Sequence, residues 1–137
     1  MTVHVLPDIE RLVIDWALNT ESITDLVDDR IYSAVPNSPT FPLIRVVRWG
    51  GVPPQQLHWL DQASMQIDVW GDRKAAASNV ARTFAAYIAQ ALVGSHELGV
   101  VTAVNCGGPR WEPDATYTPA KPRYVVEASI WFHPNAT

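Results

Sequence analysis

The fold is decided in Ser64-Met-Gln-Ile-Asp-Val-Trp-Gly-Asp72 and the alanine-rich run behind it, Arg73 to Leu92. The first part alternates: Met65, Ile67 and Val69 point one way, Gln66, Asp68 and Trp70 the other. That period of two marks a half-buried strand. Gly71 breaks it, and Asp72 is a good N-cap residue. In the run that follows, Ala77, Val80, Ala81, Phe84, Ile88, Ala91 and Leu92 fall on one stripe of a 3.6-residue period. Gly94 is placed to close the helix in a left-handed cap. A helix of roughly 21 residues, about 30 Å long, is expected. Arg73 and Lys74 stand in its first turn, where positive charge opposes the helix dipole by about 0.3–1 kcal/mol each. Its back face carries Ala75, Ala86 and Ala89, which read either as plain helix propensity or as a second packing face.

The flanking segments extend the pattern. Pro7, Asp8 and Glu10 open an amphipathic helix over 7–18 with Ile9, Leu12, Val13, Trp16 and Ala17 on its apolar stripe. Ser22-Ile-Thr-Asp25 has the capping pattern of a short second helix, closed by Asp28-Asp29. Residues 30–33 read as a short strand or extended entry. Pro36, Pro39 and Pro42 then stiffen a loop. Leu43 to Trp49 is a strand with apolar residues on both faces, as in a central strand covered on both sides. It is expected to lie antiparallel to 63–70 across a polar and aromatic arm, Gln55 to Gln62. Gly99 to Cys106 and Arg123 to His133 are two further strands. The result is an α+β fold: a mostly antiparallel sheet of four to five strands, with one long helix and an N-terminal helix packed on it. Residues 1–137 read as one domain, with long loops at 50–62 and 107–122.

Composition narrows the function. Net charge is −4, which argues against a general nucleic-acid binder. Cys106 is the sole cysteine, so neither a disulfide framework nor a multi-cysteine zinc site can form. The first residues lack the basic and apolar regions of a signal peptide, and no apolar run approaches the ~18 residues of a membrane span. His4, His58, His96 and His133 are scattered without ligand spacing. The chain has no HExxH, GxSxG, Walker or GxGxxG motif. No catalytic residue, metal ligand or cofactor is expected.

Three stretches together carry a resemblance. The first is Ile23-Thr-Asp-Leu-Val-Asp-Asp-Arg-Ile-Tyr32, followed by Pro36 and Phe41-Pro-Leu-Ile-Arg-Val46. The second is Met65-Gln-Ile-Asp-Val-Trp-Gly71 running into the alanine-rich helix. The third is the closing strand Tyr124-Val-Val-Glu-Ala-Ser-Ile130. In this order, over residues ~7–133, the chain resembles the tail terminator (tail-completion, minor tail) proteins of bacteriophages with long non-contractile tails. The resemblance implies a structural virion protein assembled in the host cytoplasm. It would form a ring, typically of six copies, at the head-proximal end of the tail tube, ending tube growth and offering a surface for head joining. Its partners would be further copies of itself, the tube protein and the head–tail connector. DNA would pass through the lumen without specific binding, and no membrane is involved.

A heterologous ring needs two different patches per subunit. On that reading the interface candidates are Asp28, Asp29, Arg48, Trp70, Arg73, Lys74, Ala86 and Trp131, with Arg73 and Lys74 pairing with carboxylates such as Asp28 or Asp29 of a neighbour. His58, Trp59, Trp111 and Tyr117, on the long loops, are the candidates for touching tube or connector. Two alternatives stand beside the terminator: a head–tail connector that stays with the head, since fold cannot separate the two, and a small-molecule-binding domain or enzyme using the Trp/Tyr-rich loops.

Overall fold

The structure is a computed structural model and describes residues 3–51 and 57–136. Helix α1 (Ile9–Leu18) is followed by α2 (Glu21–Val27), β1 (Ile31–Tyr32), β2 (Leu43–Gly50), β3 (Asp61–Trp70), α3 (Lys74–Ala91), β4 (Gly94–His96), β5 (Gly99–Cys106), β6 (Arg110–Trp111) and β7 (Arg123–His133). The strands form one sheet in the order β1-β2-β3-β7-β5-β4, and β6 pairs with β7. Only β1 and β2 run parallel. β2 and β3 pair antiparallel, with Ile44 opposite Val69 and Val46 opposite Ile67, as the alternation predicts. β7 closes the chain in the middle of the sheet, bonded along its length to β3 and on its other side to β5 and then β6.

The helices lie on one face. Period-2 residues Met65, Ile67 and Val69 meet Val126, Ala128, Ile130 and Phe132 of β7 and Ile44 and Val46 of β2. Leu12 and Val13 of α1 and Val80, Phe84 and Ile88 of α3 close over them. Phe84 is fully buried, and its ring meets Trp16 of α1 edge-on at 6.1 Å. A side chain of that size contributes about 1.5–3 kcal/mol by leaving water, so these few contacts hold the helices to the sheet.

The α+β class and the two packed helices are as expected, but the strand count is seven rather than four to five. The additional strands are β4 and β6. Both are too short to show a period, and both are made by pairing rather than by composition. Gly94, expected as the helix cap, opens β4 instead: α3 ends at Ala91, and Gly94 adopts φ +142° to turn the chain into the sheet. The helix is also shorter than expected. Arg73 occupies the N-cap position without a side-chain bond, and Asp72, expected there, pairs with Lys121. α2 begins at Glu21 behind Thr20, one residue ahead of the Ser22 pattern. β2 is covered on the helix side, and on its other side only at its start, where Leu43 is fully buried, while Trp49 at its end is exposed on that face. At the end of β2, Gly51 sits at φ +117° so close to β3 that an added Cβ would lie 2.0 Å from the Gln62 carbonyl oxygen, which is why the turn needs glycine.

The expected loop at 107–122 is largely ordered by pairing. Gly107 to Pro109 interrupt β5 and β6, which lie end to end along β7, and Asp114 bridges Lys121. The segment is therefore the upper half of one long hairpin. The loop expected at 50–62 is bounded by Gly50 in β2 and Asp61 in β3, and residues 52–56 of it lie outside the described residues.

Candidate interaction surfaces at the two ends of the sheet

Strand β3 has ten residues, about 33 Å at ~3.3 Å per residue, and its two ends carry different surfaces. At its start, Trp59 stands 5.8 Å from His133 in an edge-on contact. A cleft of about 580 Å³ opens here between Val3, Val5, Trp59, His133, Pro134 and Asn135. Val3, Val5 and Trp59 are 72, 82 and 43% exposed. His58 is exposed in the turn before β3.

At the other end, the hairpin folds over the start of α3. The Pro122 carbonyl accepts from the Gly71 N–H at 3.1 Å. Lys121 lies 4.0 Å from the centre of the Phe41 ring, and Phe41 meets Tyr117 edge-on at 6.1 Å. Trp111 packs on Tyr124, with the Lys74 ammonium 4.5 Å above its indole. Trp111 and Tyr117 remain partly exposed. The four contact candidates thus divide into two pairs on opposite ends, and the aromatic loops do not converge on one pocket.

The interface candidates divide as well. Arg48 is tied down within the chain: its guanidinium reaches Asp61 through Nη1–Oδ2 at 2.7 Å and Nη2–Oδ1 at 3.0 Å, and its backbone N–H donates to Glu10 Oε2 at 2.7 Å. It pins α1, β2 and β3 together and has little left to offer a neighbour. Trp70, expected on an outer face, is only 5% exposed. Its indole N–H donates to Asp114 Oδ2 at 2.9 Å, and the guanidiniums of Arg45 and Arg123 lie 5.4 and 5.8 Å from its ring centre. Lys74 is engaged by Trp111, and Asp28 pairs with Arg30 at 2.9 Å. Arg73 and Asp29 are exposed and have no ion pair among the described residues. Ala86 is exposed on the back of α3, and Trp131 is half-buried on the face away from the helices.

Sequence reasoning missed Asp114. This buried carboxylate accepts from the Trp70 indole and from the Thr116 backbone N–H and hydroxyl, at 3.0 and 2.6 Å. Burial alone would raise its pKa, but the hydrogen bonds from Thr116 and Trp70 and the charge of Arg123 outweigh it and hold the carboxyl below its usual 3.8. The Asp-x-Thr spacing is an Asx-turn signal that could have found half of this site. Its tie to Trp70, 44 residues away, could not be seen. Asp68 was likewise noted without its partner: it is buried beneath Arg45, whose Nε and Nη2 reach it at 3.0 and 2.6 Å.

Among the described residues no three His, Cys, Asp or Glu side chains form a metal-binding group. His96 and His133 are bonded to main-chain carbonyls, at 2.7 Å each. Burial pushes the Cys106 thiol up, away from a reactive thiolate. No helix among the described residues is long and apolar enough to cross a membrane.

Residues 11–129 match the model of the tail completion protein gp17 family. The chain belongs to that family. It is a structural protein of a phage-type tail. A chain of the solved virion of a native gene transfer agent particle superposes with a TM-score of 0.66 at 14% identity, covering 89% of this chain and 92% of its own. At that identity the likeness is one of fold. A second solved chain, 18% identical and covering 94% of this chain and 92% of its own, reaches a TM-score of 0.46. No curated protein matches the chain. Membership of that family makes the chain a virion protein.

Proposed function

We propose that this tail completion protein is the repeating subunit of a ring, typically of six copies, that caps the head-proximal end of the tail tube. The ring ends tube polymerisation and presents the surface to which the head connector binds. The observation that carries the reading is the pair of aromatic surfaces at opposite ends of the sheet. A cap has one partner on each side, and a sheet whose ~33 Å central strand has Trp59 beside one end and Trp111 and Tyr117 beside the other suits both. Its role is structural rather than enzymatic. Seven of the ten basic side chains (Arg11, Arg30, Arg45, Arg48, Arg110, Lys121 and Arg123) already sit in ion pairs within the chain. DNA passing through the lumen would therefore find few free cations to grip it.

Within the ring, Arg73 and Asp29 are the charged candidates left for a neighbour, and Ala86 and Trp131 are the further exposed or half-buried candidates, elsewhere on the surface. Arg73→Glu is expected to weaken self-association about fivefold to tenfold at low salt while leaving the monomer folded, and Asp29→Arg in the same chain should restore it. Light scattering reads the result, and equal masses for all three proteins would remove the pair from the interface.

Imaging lysates of a phage with a nonsense mutation in this gene tests the function itself. Tails of uncontrolled length without heads are the expected result. Tails of normal length beside separate, DNA-filled heads would move the role to a connector that stays with the head. Ordinary infectious virions would overturn both.

A further inference from the structure

Two elements of the chain are unfinished in the same way. The first is the outer edge of β5. β4 covers that edge only from Gly99 to Val101. Beyond it, Ala103 to Cys106 pair with β7 on their inner side and with no strand on their outer side among the described residues. Natural sheets blunt such an edge with lysine, proline or a covering element. This one reads Gly99-Val-Val-Thr-Ala-Val-Asn-Cys-Gly-Gly108, with neither charge nor proline, and Thr102, Ala103 and Asn105 are exposed. The bulge between Val101 and Ala103 lies at the β4 end and leaves four regular residues beyond it. The opposite edge of the sheet is occupied: β1 lies along Ile44 and Arg45, and the Glu10 carboxylate takes the Arg48 N–H.

The second element is Val3-His-Val-Leu6. Val3, His4 and Val5 alternate apolar and polar in the strand period, and two of the four residues are β-branched, yet the segment pairs with nothing among the described residues, and Val3 and Val5 face solvent. It has four residues, as many as the open edge. It cannot readily reach its own β5. Pro7 is held at the covered end, so close to Gly99 that an added Cβ there would lie 2.8 Å from the proline ring. From Pro7 the segment runs toward Trp59 at the head of β3, on the side of β7 away from β5.

We infer that Val3–Leu6 of one copy adds as a strand to the Ala103–Cys106 edge of a second copy. Main-chain hydrogen bonds supply the affinity, and the alternating valines set the register. Each copy gives one arm and offers one edge, so the contact is heterologous, and a closed set of such contacts is a ring. The inference rests on the ring reading above and names the contact that closes it.

The test compares the wild-type chain with the Val3→Pro/Val5→Pro variant. Proline removes two main-chain donors at exposed positions, so the monomer fold should survive, as circular dichroism will show. Light scattering over a concentration series should give assembled wild type and a variant that associates at least tenfold more weakly. A variant that assembles like wild type would overturn the strand addition and leave the ring reading standing. A wild type that stays at one-chain mass throughout would overturn both.

Cysteine pairing locates the contact. Val5→Cys and Asn105→Cys, each in a Cys106→Ser background, are mixed and oxidised, with Val3→Cys as the neighbouring register. A covalent dimer in one of the mixtures is expected. No dimer in either mixture would overturn the exchange between copies.

Discussion

Replacing Asp61 with alanine should lower stability by about 3 kcal/mol, the low end of the range for breaking a buried ion pair. Asp61 is 1% exposed and takes both Nη atoms of Arg48. Removing it leaves a guanidinium in a site built for a carboxylate. The loss stays at the low end because the Arg48 side chain is 31% exposed and water can recover part of its charge. For a chain of this length a thermal melt should show a fall of about 10 °C. Asp61→Asn keeps the shape and loses the charge, so it should fall between wild type and Asp61→Ala. Replacing both partners with apolar residues should cost less than Asp61→Ala, because no charge is then stranded. A melting temperature within 2 °C of wild type for Asp61→Ala would mean that the pin holds nothing. The same pin takes Glu10 from α1 through the Arg48 backbone, so its loss should loosen the first helix before the third.

Asp114→Ala should cost about 2–3 kcal/mol, mainly because the buried indole N–H of Trp70 loses its only acceptor among the described residues. Its effect should be local. The hairpin from Glu112 to Pro122 would come away from the start of α3, and amide exchange across those residues should rise while β3 and β7 stay protected. For the same reason, trimming 110–120 would do more than shorten a loop, since it removes the acceptor that Trp70 needs. The effect is also pH-dependent. The native Asp114 carboxyl is held below its usual 3.8, so its contribution is complete above that value and is lost as pH falls through the depressed native one. The stability gap between wild type and Asp114→Asn should therefore be constant near neutral pH and shrink below pH 3.8. A gap that instead widened in acid would contradict the hydrogen-bonded carboxylate.

Much of this protein was legible in the order of its residues. The alternation of Met65, Ile67 and Val69 and the 3.6-residue stripe of Val80, Phe84 and Ile88 are local signals, and each describes a face before the face has a partner. Antiparallel pairing of β2 with β3 follows from two alternating runs that share one core. Family resemblance was likewise carried by residues close together in the chain. The candidate surfaces were less legible. Exposed aromatics in loops could be named, but not that Trp59 and Trp111 stand at opposite ends of the sheet.

What the sequence by itself determined, then, is which stretches become helices and long strands and which of their faces turn inward, because apolar periodicity acts over a few residues. What only the tertiary structure decided is what depends on pairing across long separations. β4 and β6 exist because β5 and β7 hold them. Trp70 is buried because Asp114 and two arginines close over it. Arg48 is a pin rather than a contact because Asp61 and Glu10 reach it from two other elements. Hydrogen bonds and ion pairs are short-ranged and directional, so their partners are chosen by the assembled fold and leave no period in the chain to read.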